Sequence, residues 1–145
     1  MCLYTTEYRP KIAKEDITTW KVVRIGGTKD GKPVLNAPYY DHFYYEIGKR
    51  YKNHFPLKKE YYDTGGEGKK VYSVSVAFHS FTDFSNAHLE CKGINVFTLS
   101  RDYTVVECTI PKGTKYYTDL IEQEIASEEI IINRIVEKTN DGKNI

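Results

Sequence analysis

The chain is short of several things that would give its function away. It has one Met, one Trp and five Pro, and its 21 basic and 20 acidic residues leave a net charge of +1. Without a surplus of one sign there is no global field to draw it to nucleic acid or to a membrane surface. No apolar run approaches the roughly 20 residues of a membrane span. The opening MCLYTTEYRPK lacks the basic-then-apolar order of a signal peptide. The three cysteines, Cys2, Cys91 and Cys108, are odd in number and have no motif spacing. They argue against a secreted disulfide framework and for a reducing, cytoplasmic setting.

What the chain does have is tyrosine. Thirteen of its 145 residues are Tyr, and aromatics make up 14% of the whole. A tyrosine buries its ring and keeps its hydroxyl wet, so the composition predicts many half-buried positions, as sheets and binding surfaces provide. Residues 17–25 (ITTWKVVRI) and 103–110 (YTVVECTI) read as strands, the second apolar on both faces and therefore central. Residues 129–137 (EIIINRIVE) form a last strand. Residues 71–81 (VYSVSVAFHSF) alternate, with Val74, Val76 and Phe78 expected on one face. Thr82 is expected to cap a short helix over 83–92 closed by Gly93, with another strand or an edge segment at 95–99. Gly26-Gly27 and Asp30-Gly31 are expected to end the first strand. Residues 34–62 show no period. The expected fold is α+β, mostly antiparallel sheet, split or sandwiched, with one or two short helices. Residues 1–138 read as one domain and 139–145 as a flexible polar tail.

Few combinations of residues could carry chemistry. His79, His88, Cys91 and Cys108 lack the paired ligands of a zinc site, and they read as ordinary packing residues with no metal. Ser80 stands beside His79, but neighbours on a strand point to opposite faces and cannot act as nucleophile and base. Gly65-Gly66-Glu67-Gly68 fits no phosphate-binding motif. The richest segment is 39–72, where tyrosines interleave with lysines and arginines. Tyr39, Tyr40, Tyr44, Tyr45, Arg50 and Tyr51 are the candidate binding surface. Its partner would be a protein, or, as a second reading, a stacked nucleotide.

Two resemblances follow from particular strings. FHSFTD (78–83), IPKGTKYY (110–117) and IASEEIII (125–132) resemble small uncharacterised phage and gut-bacterial proteins, a group that implies no activity. More distantly, the order of Arg24 ending VVRI, Ser80 before a short helix, and Glu129 opening EIIINRI is similar to that of the ADP-ribosyltransferase fold. That resemblance implies NAD as ligand, with Arg24 on its phosphates, Ser80 bracing the cleft and Glu129 stabilising an oxocarbenium-like centre. The chain departs from the family pattern, since one Ser stands where Ser-Thr-Ser is usual and Glu-x-Glu is replaced by Ser127-Glu128-Glu129. The leading expectation is therefore a non-catalytic binding module. The alternative is a degenerate NAD-binding cleft of Arg24, Ser80 and Glu129.

Overall fold

The computed structural model describes residues 3–37, 40–53, 57, 59–62, 70–74, 76–99 and 101–136; the side chains of 40–43 and 62 and the tail expected at 139–145 lie outside this description. The described strands are β1 (Leu3–Thr5), β2 (Lys11–Ile12), β3 (Ile17–Lys29), β4 (Lys32–Ala37), β5 (Tyr40–Tyr45), β6 (Arg50–Lys52), β7 (Glu60–Tyr62), β8 (Val71–Val74), β9 (Phe78–Phe81), β10 (Tyr103–Ile110), β11 (Lys115–Thr118), β12 (Glu124–Ser127) and β13 (Glu129–Ile135), with one helix, α1 (Phe84–Thr98), between β9 and β10. All described pairings are antiparallel. Among the described residues the fold is thus mostly antiparallel sheet with a single helix, and that helix is not long and apolar enough to cross a membrane.

The β3–β10 pair organises the rest. Its register is continuous from Ile17↔Ile110 to Arg24↔Tyr103. Both strands are rich in β-branched residues, which suit a pleated surface. Both are apolar on each face, because each face is covered. Trp20, Val22, Tyr103 and Val105 meet Ala87 and Cys91 of α1 on one side. Val23, Val106 and Cys108 meet Leu35, Tyr45, Phe78, Ile130 and Ile132 on the other. From this pair the large sheet runs β2-β11-β12-β9-β3-β10-β13-β6, with β4 and β5 branching from β3. A smaller sheet, β1-β8-β7, packs over β11 and β12 through Leu3, Val74, Tyr117 and Ala126. Ala126 lies opposite His79 in the register. Side chains alternate, so it shares the face of Phe81 and of α1.

Several local expectations are corrected. The first strand does not stop at Gly26-Gly27. Gly27, at φ 116, accommodates a register shift between Ile25 and Thr28, and β3 continues to Lys29. Asp30 and Gly31 then both take positive φ, 53 and 77. This is the two-residue hairpin turn that matches the strand twist. Residues 32–62 contain four strands rather than an irregular stretch. Residues 71–81 form two strands in different sheets, so Val74 is buried while Val76 is 54% exposed.

The helix differs as well. It passes through Gly93 and takes in 95–98, where a strand or an edge segment is expected, because an interior Gly costs only about 1 kcal/mol when nothing else breaks the helix. Its N-cap is Asp83, whose carboxylate accepts from the Asn86 N–H at 2.8 Å. Thr82 instead donates its hydroxyl to the Glu122 carbonyl at 3.0 Å. Asp83→Ala is expected to lower stability by about 1 kcal/mol in a urea titration, and Thr82→Ala by less.

Candidate functional site

The three cleft candidates do not converge. Arg24 lies opposite Tyr103 at one end of β10 and is exposed on the face that carries α1. Glu129 precedes Ile131, which lies opposite Thr109 near the other end of β10. At strand rise, nearly the full length of β10 separates the two, roughly 25 Å. Glu129 pairs with Arg50 instead: the Arg50 Nε donates to a carboxylate oxygen at 2.7 Å, and this bond raises the guanidinium pKa further. Ser80 is 2% exposed, alternates with Phe78 into the interior, and its hydroxyl has no hydrogen-bond partner. Arg24 and Ser80 therefore face opposite sides of the sheet, and no single cavity can receive all three.

The expected tyrosine surface is also divided. Alternation along β5 turns Tyr44 outward, 56% exposed, and Tyr45 inward, 4% exposed. Tyr45 packs edge-on against Tyr51, with ring centroids 5.3 Å apart, and against Phe78. Burial pushes its hydroxyl pKa well above the usual phenol value. Tyr51 is half-buried, and its hydroxyl accepts from the Glu46 N–H at 2.6 Å. Arg50 is held by Glu129. Tyr40 is placed on β5 without a described side chain, and Tyr39 lies outside the described residues. The pairs of consecutive tyrosines misled because a strand cannot show both members on one face.

The tyrosines and lysines that do gather at the surface lie around the small sheet. The Lys59 ammonium sits 4.0 Å from the ring centroid of Tyr8 and 4.0 Å from that of Tyr72. It also donates to the Tyr8 carbonyl. The Tyr61 ring meets Tyr72 edge-on at 6.1 Å and is 62% exposed. An open groove of about 420 Å³ runs beside them, lined by Thr6, Tyr8, Lys70 and Tyr72. Three segments, 6–8, 59–61 and 70–72, supply this cluster; the last two lie within the tyrosine-rich stretch 39–72, and only the fold adds the first.

One buried group escaped the sequence reading. Lys21 is 8% exposed, on the interior face of β3 between Thr19 and Val23. Its ammonium donates to the His79 carbonyl at 2.7 Å and lies 5.8 Å from the Tyr45 ring centroid. Burial lowers its pKa to about 8, and burial raises the neighbouring Cys108 thiol to about 12. An inert thiol beneath apolar residues does not act as a nucleophile at neutral pH. The only sequence signal was the alternation itself, which puts a lysine in line with Thr19 and Val23.

The unfolded chain holds the Lys21 proton more tightly, near the ordinary value of about 10.4. The cost of burying the charge is therefore complete below pH 8 and is relieved as pH rises toward 10. Lys21→Met is expected to stabilise the protein by about 1–3 kcal/mol at pH 7. Denaturant titrations at pH 7 and pH 9.5 should show that gain shrinking at the higher pH. A constant difference would mean that the folded and unfolded chains hold the Lys21 proton equally tightly, so that burial does not lower its pKa.

No protein-family model, no curated protein and no solved structure matches this chain.

Proposed function

We propose that the protein is a non-catalytic binding module that holds a protein partner against the tyrosine–lysine cluster of the small sheet. The observation that carries this reading is the placement of Lys59 between the rings of Tyr8 and Tyr72, with Tyr61 exposed beside them. Tyrosines offer large contact area at low entropic cost, since only two side-chain torsions must be fixed. The lysine locks two of the rings before any partner arrives, so little ordering remains for the binding step. The open groove beside Lys70 suits a protruding side chain or loop of another protein. A small substrate prefers an enclosed apolar cleft.

The test is a photo-crosslinking residue placed at position 61 in the cell that makes the protein. One discrete adduct is expected. It should be absent when the crosslinker stands at Lys32, and lost on Tyr8→Ala combined with Lys70→Ala. With the partner in hand, Tyr61→Ala should weaken binding about 30-fold, as an interface anchor does. Adducts that are equal at both positions, or unaffected by the double substitution, would overturn the reading. Millimolar NAD is expected to leave the melting temperature unchanged; a rise through mass action would revive the nucleotide reading.

A further inference from the structure

The helix α1 is apolar on two opposite sides. Ala87 and Cys91 are buried toward β3 and β10, with Phe84 and Ile94 packed beside them. The opposite stripe, spaced i, i+4, i+7, i+8, is Leu89, Gly93, Val96 and Phe97. Leu89 is 65% exposed, Val96 74% and Phe97 89%. At 100° per residue these four positions span an arc about 100° wide, the width of a core-facing face. A helix that is apolar on both sides is ordinarily covered on both. The flanking charges, Glu90 and Lys92, stand at the margins, as a polar rim does.

The patch extends beyond the helix. Leu99 is 94% exposed, and Leu120 and Ile121 are 54% and 66% exposed. Their loop is tied to the start of the helix by the Thr82–Glu122 hydrogen bond. The four exposed apolar residues at the helix, Leu89, Val96, Phe97 and Leu99, expose roughly 600 Å², the upper end for a monomer's largest patch and, used twice, the roughly 1,200 Å² of a small specific interface.

Leu99 adds an independent observation. It is the helix C-cap, with φ 54 and ψ 36. Glycine takes this left-handed conformation freely, whereas leucine pays about 1 kcal/mol or more for it. A side chain 94% exposed gains nothing inside the fold in return. Strain held at an exposed apolar residue points to a contact outside the chain.

We propose that this face pairs two copies of the chain around a two-fold axis, α1 antiparallel to α1. The stripe complements itself. Phe97 projects one turn from Gly93, where a Cβ would meet nothing within 4 Å. An axis between residues 93 and 97 sets each Phe97 ring over the partner's Gly93, and carries each Leu99 toward the partner's Leu89. A groove of about 600 Å³ beside the stripe, whose lining joins Leu89, Gly93 and Phe97 with the polar Asn86, Glu90 and Gln123, receives the incoming ring. A two-fold pairing uses one patch twice, so it needs no second surface.

Sedimentation velocity of the full chain in reducing buffer, up to about 200 µM, tests this. The wild type is expected to form a concentration-dependent dimer. Phe97→Glu should weaken association at least 30-fold and leave the melting temperature and circular dichroism of the dilute monomer unchanged, since the ring is 89% exposed. Leu99→Gly should weaken association about 10-fold while raising the melting temperature of the monomer, as relief of the cap strain requires. A wild type that stays monomeric at the highest concentration overturns the proposal and assigns the stripe to a different molecule. So does a dimer that neither substitution weakens.

Discussion

The structure depends on the burial of one strand pair on both faces. β3 and β10 pair without interruption from Ile17↔Ile110 to Arg24↔Tyr103; α1 covers one face of that pair, the other strands of the large sheet extend from it, and the small sheet packs farther out on β11 and β12. A strand covered on one side tolerates polar residues on the other; one covered on both does not. Val22, Val23, Val105 and Val106 are therefore each 5% exposed or less. The sequence around them is a near-continuous apolar run rather than an alternation. The cost of this arrangement falls on Lys21, the one buried cation among the described residues. It has a single carbonyl acceptor and an aromatic ring for company, and its lowered pKa is the physical record of that placement.

That same constraint decided what could be read in advance. Strands buried on both faces announce themselves through β-branched runs, and 17–25, 103–110 and 129–135 were legible for that reason. The strands β4 to β7 were not. They are short, and along β5 tyrosine fills an outward and an inward position alike, so alternation of burial leaves no alternation of polarity there. Tyr44 and Tyr45 are chemically identical and face opposite ways. Residues 71–81 looked like one strand because the pattern of apolar residues continues through a break in the chain's direction. The helix ran past Gly93 because a single glycine in an otherwise compatible stretch is too weak a stop signal.

The candidate sites follow the same division. Arg24, Ser80 and Glu129 stand in a suggestive order along the chain, yet order alone does not fix which end of a strand, or which face, a residue occupies. The continuous β3–β10 register does. With the β10–β13 pairing it carries Arg24 and Glu129 to opposite ends, and the pairings of β9 with β3 and β12 turn Ser80 into the core. The tyrosine–lysine cluster was anticipated in kind and misplaced in position. Its members come from the segment before β2, from β7, from β8 and from the residues that lead into them, and only the pairing of β1, β8 and β7 draws these together.

The two surfaces proposed for contact share an origin. α1 and the small sheet lie side by side on one face of the large sheet, α1 over β3 and β10 and the small sheet over β11 and β12. The core takes only part of each covering element and leaves the rest to solvent. On the small sheet that remainder is aromatic and cationic, with Tyr61 and Tyr72 continuing the face of Leu3 and Val74 beyond the core; on α1 it is the outer stripe, plainly apolar. The proposed pairing through α1 links two tyrosine–lysine clusters in one rigid assembly. Two binding surfaces so linked raise the effective concentration of the second once the first is engaged. A weak, adaptable tyrosine surface is then sufficient for a tight grip on a repetitive or two-fold partner. The same surface on a monomer would have to supply all of the affinity from one patch.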